Sequence, residues 1–283
     1  MHPDQITTFL DLTESGSFHA SAERLGLTQS TVSARIAALE TAIGARLFDR
    51  SRAGARLTTE GLKFAPHARA LRHAWAEAAR AVQPTGEAAI GLRIGIQADL
   101  AAEGIGDWVQ GFRRALPGAA FYLEPDYSAQ MCRDLAEGRL DFAVLYTPHP
   151  APDLHFATLG EAAYVMVTTE PARLADLPPD RLIRGNYAPA FAAAQAAAVP
   201  AMAAAPVAAG QSAAVAALLR SLGGAAYVLE PTARVLGPAV TRVEGAPVIG
   251  QPVHAAMHLR HRTAPLHRTL LRIVRAHFAR PAG

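Results

Sequence analysis

Apolar positions near the start of the chain follow a helical period that breaks once. Phe18, Ala22 and Leu25 share one face, the phase resets at Gly26, and Val32, Ile36, Leu39 and Ile43 share the next. Two short helices meeting at a tight corner are therefore predicted between Ser17 and Glu40. An earlier helix is predicted from Asp4 to Glu14, with Ile6, Phe9, Leu10 and Thr13 on one side. Thr28 stands where the second helix of the pair needs an N-cap. After Gly44, an extended stretch from Leu47 to Leu57, interrupted at Ser51-Arg52-Ala53-Gly54, predicts a hairpin. Thr58 then caps a long helix reaching about Val82, which Gly61 and Pro66 should bend near its start. Along that helix Phe64, Ala68, Leu71, Trp75, Ala78 and Val82 recur at alternating intervals of four and three. This heptad seam needs a partner to bury Trp75.

From Gly91 the pattern changes to alternating strands and helices. Strands are predicted at Leu92 to Ile96, Ala120 to Glu124 and Leu140 to Tyr146, with helices at Leu100 to Ala115 and Ala129 to Glu137. Further strands are predicted at Tyr164 to Val167, around Leu182-Ile183, at Ala225 to Leu229 and at Val253 to Leu259. A final amphipathic helix is predicted from Pro265 to Phe278, with Leu266, Leu270, Ile273 and Val274 inward and Arg268, Arg272 and Arg275 outward. The alanine-rich stretch from Ala188 to Ala209 has almost no readable period, and Pro189, Pro200 and Pro206 forbid one continuous helix there. Gln83-Pro84-Thr85-Gly86-Glu87 reads as a hinge. The fold class is thus α followed by α/β.

Composition narrows the possibilities. The 283 residues suffice for two domains with real cores. Hydrophobic residues make up 51%, yet no run approaches the roughly 18 uninterrupted apolar residues of a membrane span. With no secretory pattern and a single cysteine, Cys132, a soluble cytoplasmic protein is expected. The net charge of +3 names no partner, but Arg50, Arg52 and Arg56 stand together with no acidic residue among them.

A helix pair joined at a glycine is compatible with a surface hairpin. It also fits a DNA-binding helix-turn-helix, because Gln29, Ser30, Thr31, Ser33 and Arg35 project from the second helix away from its core stripe. Small hydrogen-bonding groups and one arginine suit base edges and phosphates in a major groove. A hairpin carrying Arg50, Arg52 and Arg56 beside that helix acts as a wing on the phosphate backbone. No paired carboxylates, nucleophile elbow or phosphate loop is present, so no enzymatic activity is expected. His254, His258 and His261 alternate as on a strand rather than gathering on a helix face, which argues against a metal. Cys132, lacking a resolving thiol, reads as a small core residue rather than a redox sensor.

With these elements in place, the chain resembles the LysR-type transcriptional regulators over its whole length. The resemblance is densest from Phe9 to Gly61: Ser17-Phe18, Ala22, Leu25, Thr28-Gln29-Ser30, Val32-Ser33, Ile36, Leu39-Glu40, Gly44, Leu47-Phe48, Arg50, Leu57-Thr58 and Gly61 stand at the family's spacing, with Ser21 a departure. Beyond Gly91 it rests on architecture and on local echoes such as Leu140-Asp141-Phe142-Ala143.

The resemblance implies a winged helix-turn-helix over residues 1–58 and a linker and dimerisation helix with hinge over 59–90. Over 91–283 it implies an effector domain of periplasmic-binding-protein type, with one subdomain from about 91–160 plus 251–283 and the other from about 161–250. A cleft between them would hold a small-molecule effector. Mapped onto this sequence, its lining is Gln97-Ala98-Asp99, Tyr127-Ser128, Tyr146-Thr147, Asn186-Tyr187 and Gln211-Ser212. Ser128 and Ser212 each stand where a helix begins, suited to an anion or simply to capping. The acidic Asp99, where relatives place Ser or Thr for a carboxylate, speaks against an acidic inducer. Expected partners are double-stranded promoter DNA, the effector and further copies of the chain. Phe64, Leu71, Trp75 and Val82 serve the dimer, a tetramer is expected from the family, and RNA polymerase is a further candidate partner; no cofactor and no membrane are expected. The competing readings are an architectural DNA-binding protein whose C-terminal domain only oligomerises, and a solute-binding or enzymatic α/β protein with an incidental helix pair.

Overall fold

The structure is a computed structural model describing residues 1–51, 54–82 and 90–278, with only the backbone of residues 102 and 103. Arg52 and the hinge expected at Gln83 to Glu87 lie outside the described residues. The chain divides into two compact units, Met1–Pro84 with Ala136–Arg139, and Thr85–Leu135 with Leu140–Gly283.

The first unit opens with α1 (Pro3–Ser15), α2 (Phe18–Leu25) and α3 (Gln29–Ile43), then the hairpin β1 (Phe48–Ser51) and β2 (Gly54–Leu57), and ends with α4 (Thr59–Ala81). The corner between α2 and α3 depends on Gly26, whose φ of 65° lies in the left-handed region where only glycine is unstrained. Phe9, Leu12, Ile36, Leu39, Leu47 and Ala68 are fully buried in the common core. Ile43, expected to share that core, is 37% exposed, because α3 ends there and Gly44 turns the chain away.

Helix α4 starts at Thr58, whose hydroxyl accepts the Gly61 N–H at 2.9 Å and donates to the Arg46 carbonyl at 2.7 Å. The helix continues through Pro66. Its seam splits in two. Phe64 meets the Phe9 ring at 5.1 Å and Ala68 is wholly buried, so both belong to the chain's own core. Phe64, expected in the dimer seam, is half-buried against α1 of its own chain. Leu71 (43%), Trp75 (60%) and Val82 (83%) remain exposed.

The second unit is a single mixed sheet flanked by helices. Its elements in chain order are β3 (Ile90–Gln97), α5 (Ala98–Ala115), β4 (Ala119–Asp126), α6 (Ser128–Ala136), β5 (Phe142–Leu145) and β6 (Leu154–Thr168). There follow β7 (Leu182–Gly185), α7 (Pro189–Ala198), β8 (Val207–Ala209), α8 (Ser212–Leu222), β9 (Ala225–Leu229), α9 (Glu230–Leu236), β10 (Thr241–Arg242), β11 (Ile249–His258) and α10 (Pro265–Phe278). The strand order is β4-β3-β5-β11-β6-β9-β7-β8, with β10 pairing β6.

Two long antiparallel strands, β6 and β11, join the halves of this sheet. The first residues of β6 pair the end of β11, which also pairs β5, whereas Tyr164 to Thr168 pair β9. The chain thus crosses to β7, β8 and β9 and returns through β11, whose register shifts at Val253/His254. The alanine-rich stretch resolves into α7, a 3₁₀ turn at Pro200–Ala204 and β8. In α10, Leu270 and Val274 are fully buried while Arg268, Arg272 and Arg275 are exposed. His254 and His258 lie on β11, as their alternation implies.

Candidate functional site: a helix-turn-helix surface and an internal polar cluster

The first turn of α3 is organised by Thr28. Its hydroxyl accepts the Thr31 N–H at 3.2 Å and lies 2.9 Å from the Ser30 hydroxyl and 2.8 Å from that of Thr31. Gln29 and Ser30 are exposed, while Thr31, Ser33 and Arg35 are half-buried. Arg35 turns back to α1, donating to Asp4 Oδ2 at 3.0 Å and Thr8 Oγ1 at 3.4 Å. The wing is fixed from two sides. Glu40 Oε1 accepts the N–H groups of Leu47 and Phe48 at 2.7 and 3.1 Å, and Arg50 donates to Ser33 Oγ at 3.0 Å. The Arg50 guanidinium also lies 4.4 Å from the centre of the Phe18 ring, a cation–π arrangement that holds it beside α3. Arg56 is exposed on β2. Glu40, which sequence reasoning used only as a matching position, is thus what seats the wing.

In the second unit, most of the predicted effector residues converge, but as a buried network. The side chain of Gln97, at the end of β3, accepts from Ser128 Oγ at 2.8 Å and donates to the Tyr187 carbonyl at 3.5 Å. Ser128 Oγ in turn accepts the N–H groups of Tyr146 and Thr147 at 3.2 and 3.1 Å. Asp99, in the first turn of α5, accepts the Tyr164 hydroxyl on Oδ2 and the Ser212 N–H on Oδ1. Tyr164 and Tyr146 exchange a hydroxyl bond at 2.9 Å, and Tyr187 donates to the Tyr227 carbonyl at 2.6 Å. Ser212 Oγ accepts the Leu229 N–H at 3.2 Å.

The junction of β3 and α5, carrying Gln97 and Asp99, therefore ties the start of α6 on one half of the sheet to the start of α8 on the other. The N–H of Ser212, which the sequence suited to an anion or simply to capping, is occupied by the chain's own carboxylate. Tyr127, Asn186 and Gln211 are exposed; Thr147 and Ala98 are half-buried. An added side-chain carbon at Gly210 would stand 3.0 Å from the Tyr127 hydroxyl, so this tyrosine lies close to the turn that precedes α8.

Burial sets the electrostatics. Desolvation pushes the Asp99 carboxyl up to about 6, only partly offset by its bonds from Tyr164 and Ser212. The Tyr164 hydroxyl is held well above its ordinary value, first by burial and then by the neighbouring Tyr146 and Asp99. Tyr164, which sequence reasoning placed on a strand but not in the site, is the centre of the cluster. Its ring stacks on Tyr187 at 4.8 Å and meets that of Phe191 at 4.5 Å. Cys132 is buried and burial raises its thiol, as suits a packed core residue.

These features define a DNA-binding helix-turn-helix unit joined to an α/β unit of ligand-binding type. A family described as "Bacterial regulatory helix-turn-helix protein, lysR family" matches residues 3–62, and "LysR substrate binding domain" matches residues 86–279. The chain belongs to the LysR family of transcriptional regulators. It is 28% identical over 191 residues to PtxE of Stutzerimonas stutzeri, covering 65% of this chain and 93% of that protein. It is 30% identical over 176 residues to the transcriptional regulator HdfR of Salmonella newport, covering 61% of this chain and 63% of HdfR. Full-length OxyR from Pseudomonas aeruginosa superposes with a TM-score of 0.56 at 19% identity, over 97% of this chain and 95% of that one. LysG from Corynebacterium glutamicum, solved with bound effector Arg, gives 0.56 at 22% identity, over 97% and 98%. The protein is thus a DNA-binding transcription regulator with an effector-binding domain, and its relatives are transcription regulators. Nothing observed favours an architectural protein. No helix among the described residues is long and apolar enough to cross a membrane.

Proposed function

We propose that this regulator reads promoter DNA through Gln29, Ser30, Thr31 and Ser33 of α3, with Arg50, Arg52 and Arg56 of the wing on the phosphates. Arg35 serves mainly to hold α3 on α1. The observation that carries this reading is the pairing of Arg50 with Ser33, which aligns the wing with the exposed face of α3 before DNA arrives. Copies associate through Leu71, Trp75 and Val82 of α4, and two such pairs form the tetramer common in the family. An effector in the cleft between the halves of the sheet shifts the relation between DNA-bound pairs. The protein acts in the cytoplasm and meets RNA polymerase at its promoters.

The test begins by selecting bound duplexes from genomic fragments with the full chain. Affinity of the selected duplex is then measured against salt for the wild type, Arg50→Ala and Arg56→Ala. For every phosphate that a variant no longer neutralises, the slope of log affinity against log salt should flatten by about 0.9. Slopes identical to wild type in both variants would remove the wing from the interface.

A further inference from the structure

The polar cluster in the α/β unit contains an unbalanced charge. Asp99 is 3% exposed. Its two oxygens each accept a bond, one from a backbone N–H and one from a phenol, so both neighbours donate and the arrangement suits the ionised carboxylate. Yet no Arg, Lys or His forms an ion pair with Asp99 among the described residues, and no cation is among the groups that shift it. The starts of α5 and α8 supply only partial positive charge to this carboxylate, so its burial remains costly, and a full positive charge joining it offsets that cost. The ring of Tyr164, whose hydroxyl donates to Asp99, stacks on that of Tyr187, and Tyr146 and Phe191 meet this pair. Aromatic surroundings of this kind suit a desolvated cation better than an anion. An anionic ligand would meet the opposite conditions, because the N–H at the start of α8 is already taken and Asp99 repels a second carboxylate.

We propose that the cleft takes a small cationic effector, an ammonium or guanidinium compound, whose positive group pairs with the Asp99 carboxylate beside the rings of Tyr164 and Tyr187. The inference rests on the reading of this cleft as the effector site. A ligand enters past Tyr127 and loosens the bond between Asp99 and Ser212. Because that bond joins the two halves of the sheet, ligand entry changes how they are tied. Asp99 is thereby the residue that selects ligand charge.

The test is thermal unfolding of the full chain at pH 7.5 and fixed ionic strength. The cationic probes are methylammonium, guanidinium, putrescine, agmatine and arginine; the controls are acetate, benzoate, succinate and uncharged glucose. At least one cation is expected to raise the melting temperature of the wild type by about 2 °C or more. The shift should vanish in Asp99→Asn, which keeps the shape of the side chain and is checked for folding by its unliganded transition. In Asp107→Asn, which removes an exposed carboxylate of α5 outside the cluster, it should persist. A cation shift of equal size in Asp99→Asn would overturn the proposal. A shift given only by acids or glucose, and abolished in Gln97→Ala, would overturn the charge assignment while leaving the cleft as the ligand site. No shift with any probe would overturn the proposal and count against the cleft as well.

Discussion

At the scale of single residues, Asp99 and Gly61 show how much one position is asked to do. The unfolded Asp99 carboxyl titrates near its ordinary value of 3.8, and the folded one near 6. Between those values the folded chain binds the proton more tightly, so the Asp99 contribution to stability falls as pH rises through that window. The cost at neutral pH is at most about 3 kcal/mol. In Asp99→Asn this dependence is absent. The variant's stability relative to wild type should therefore climb between about pH 4 and 6 and level off above pH 7, as read by urea unfolding at a series of pH values. A flat difference would show that Asp99 is not perturbed by burial. Gly61 has a different constraint. A side-chain carbon there would lie 2.2 Å from the Leu47 carbonyl oxygen and 2.9 Å from Leu57, and the backbone atom cannot move aside cheaply. Gly61→Ala should cost the first unit about 1–3 kcal/mol. Chemical denaturation measures it, and an unchanged midpoint would mean that α4 can back away from the wing.

At the scale of elements, α4 divides its labour along its length. Its first turns bury Ala65 and Ala68 with the helix-turn-helix core, and its later turns leave Leu71 and Trp75 in solvent. Leu71→Glu with Trp75→Ala should convert the self-associated protein to smaller species in sedimentation velocity, with an unaltered circular dichroism spectrum; unchanged association would move the interface elsewhere.

Local signals made most of these elements legible. Gly26, Thr28, Gly44 and Thr58 act on their own few neighbours, so the sequence places the three N-terminal helices and α4 within a residue or two. The last helix, Pro265–Phe278, falls where its stripe predicts. Less was readable where the cause is distant. The first half of β6 alternates with small residues and becomes a strand because β11 lies beside it. Alanine carries too little contrast to locate α7 and β8. The polar cluster was legible by position, since Gln97 meets Ser128 and Tyr187, and Asp99 meets Ser212. Their mutual closure was not, because Tyr164 lies 65 residues from Asp99 in sequence and only the sheet brings them together. Phe64 shows the same limit: a heptad position shows that a residue needs a partner, and the contact with Phe9 of α1 supplies one within the chain.

At the scale of the whole molecule, the two units carry separate tasks, and in the proposed function self-association links them to one promoter. On the proposed reading, specificity belongs to the α3 surface, and the wing contributes sequence-independent affinity. These two contributions separate experimentally. The decisive measurement is the affinity ratio between a genome-selected duplex and a scrambled duplex of the same length, for wild type, Gln29→Ala, Thr31→Ala and Arg56→Ala at one salt concentration. Gln29→Ala or Thr31→Ala should collapse the ratio by about 1–3 kcal/mol, whereas Arg56→Ala should weaken both duplexes together and leave the ratio intact. An undiminished ratio in both Gln29→Ala and Thr31→Ala would contradict base reading by α3.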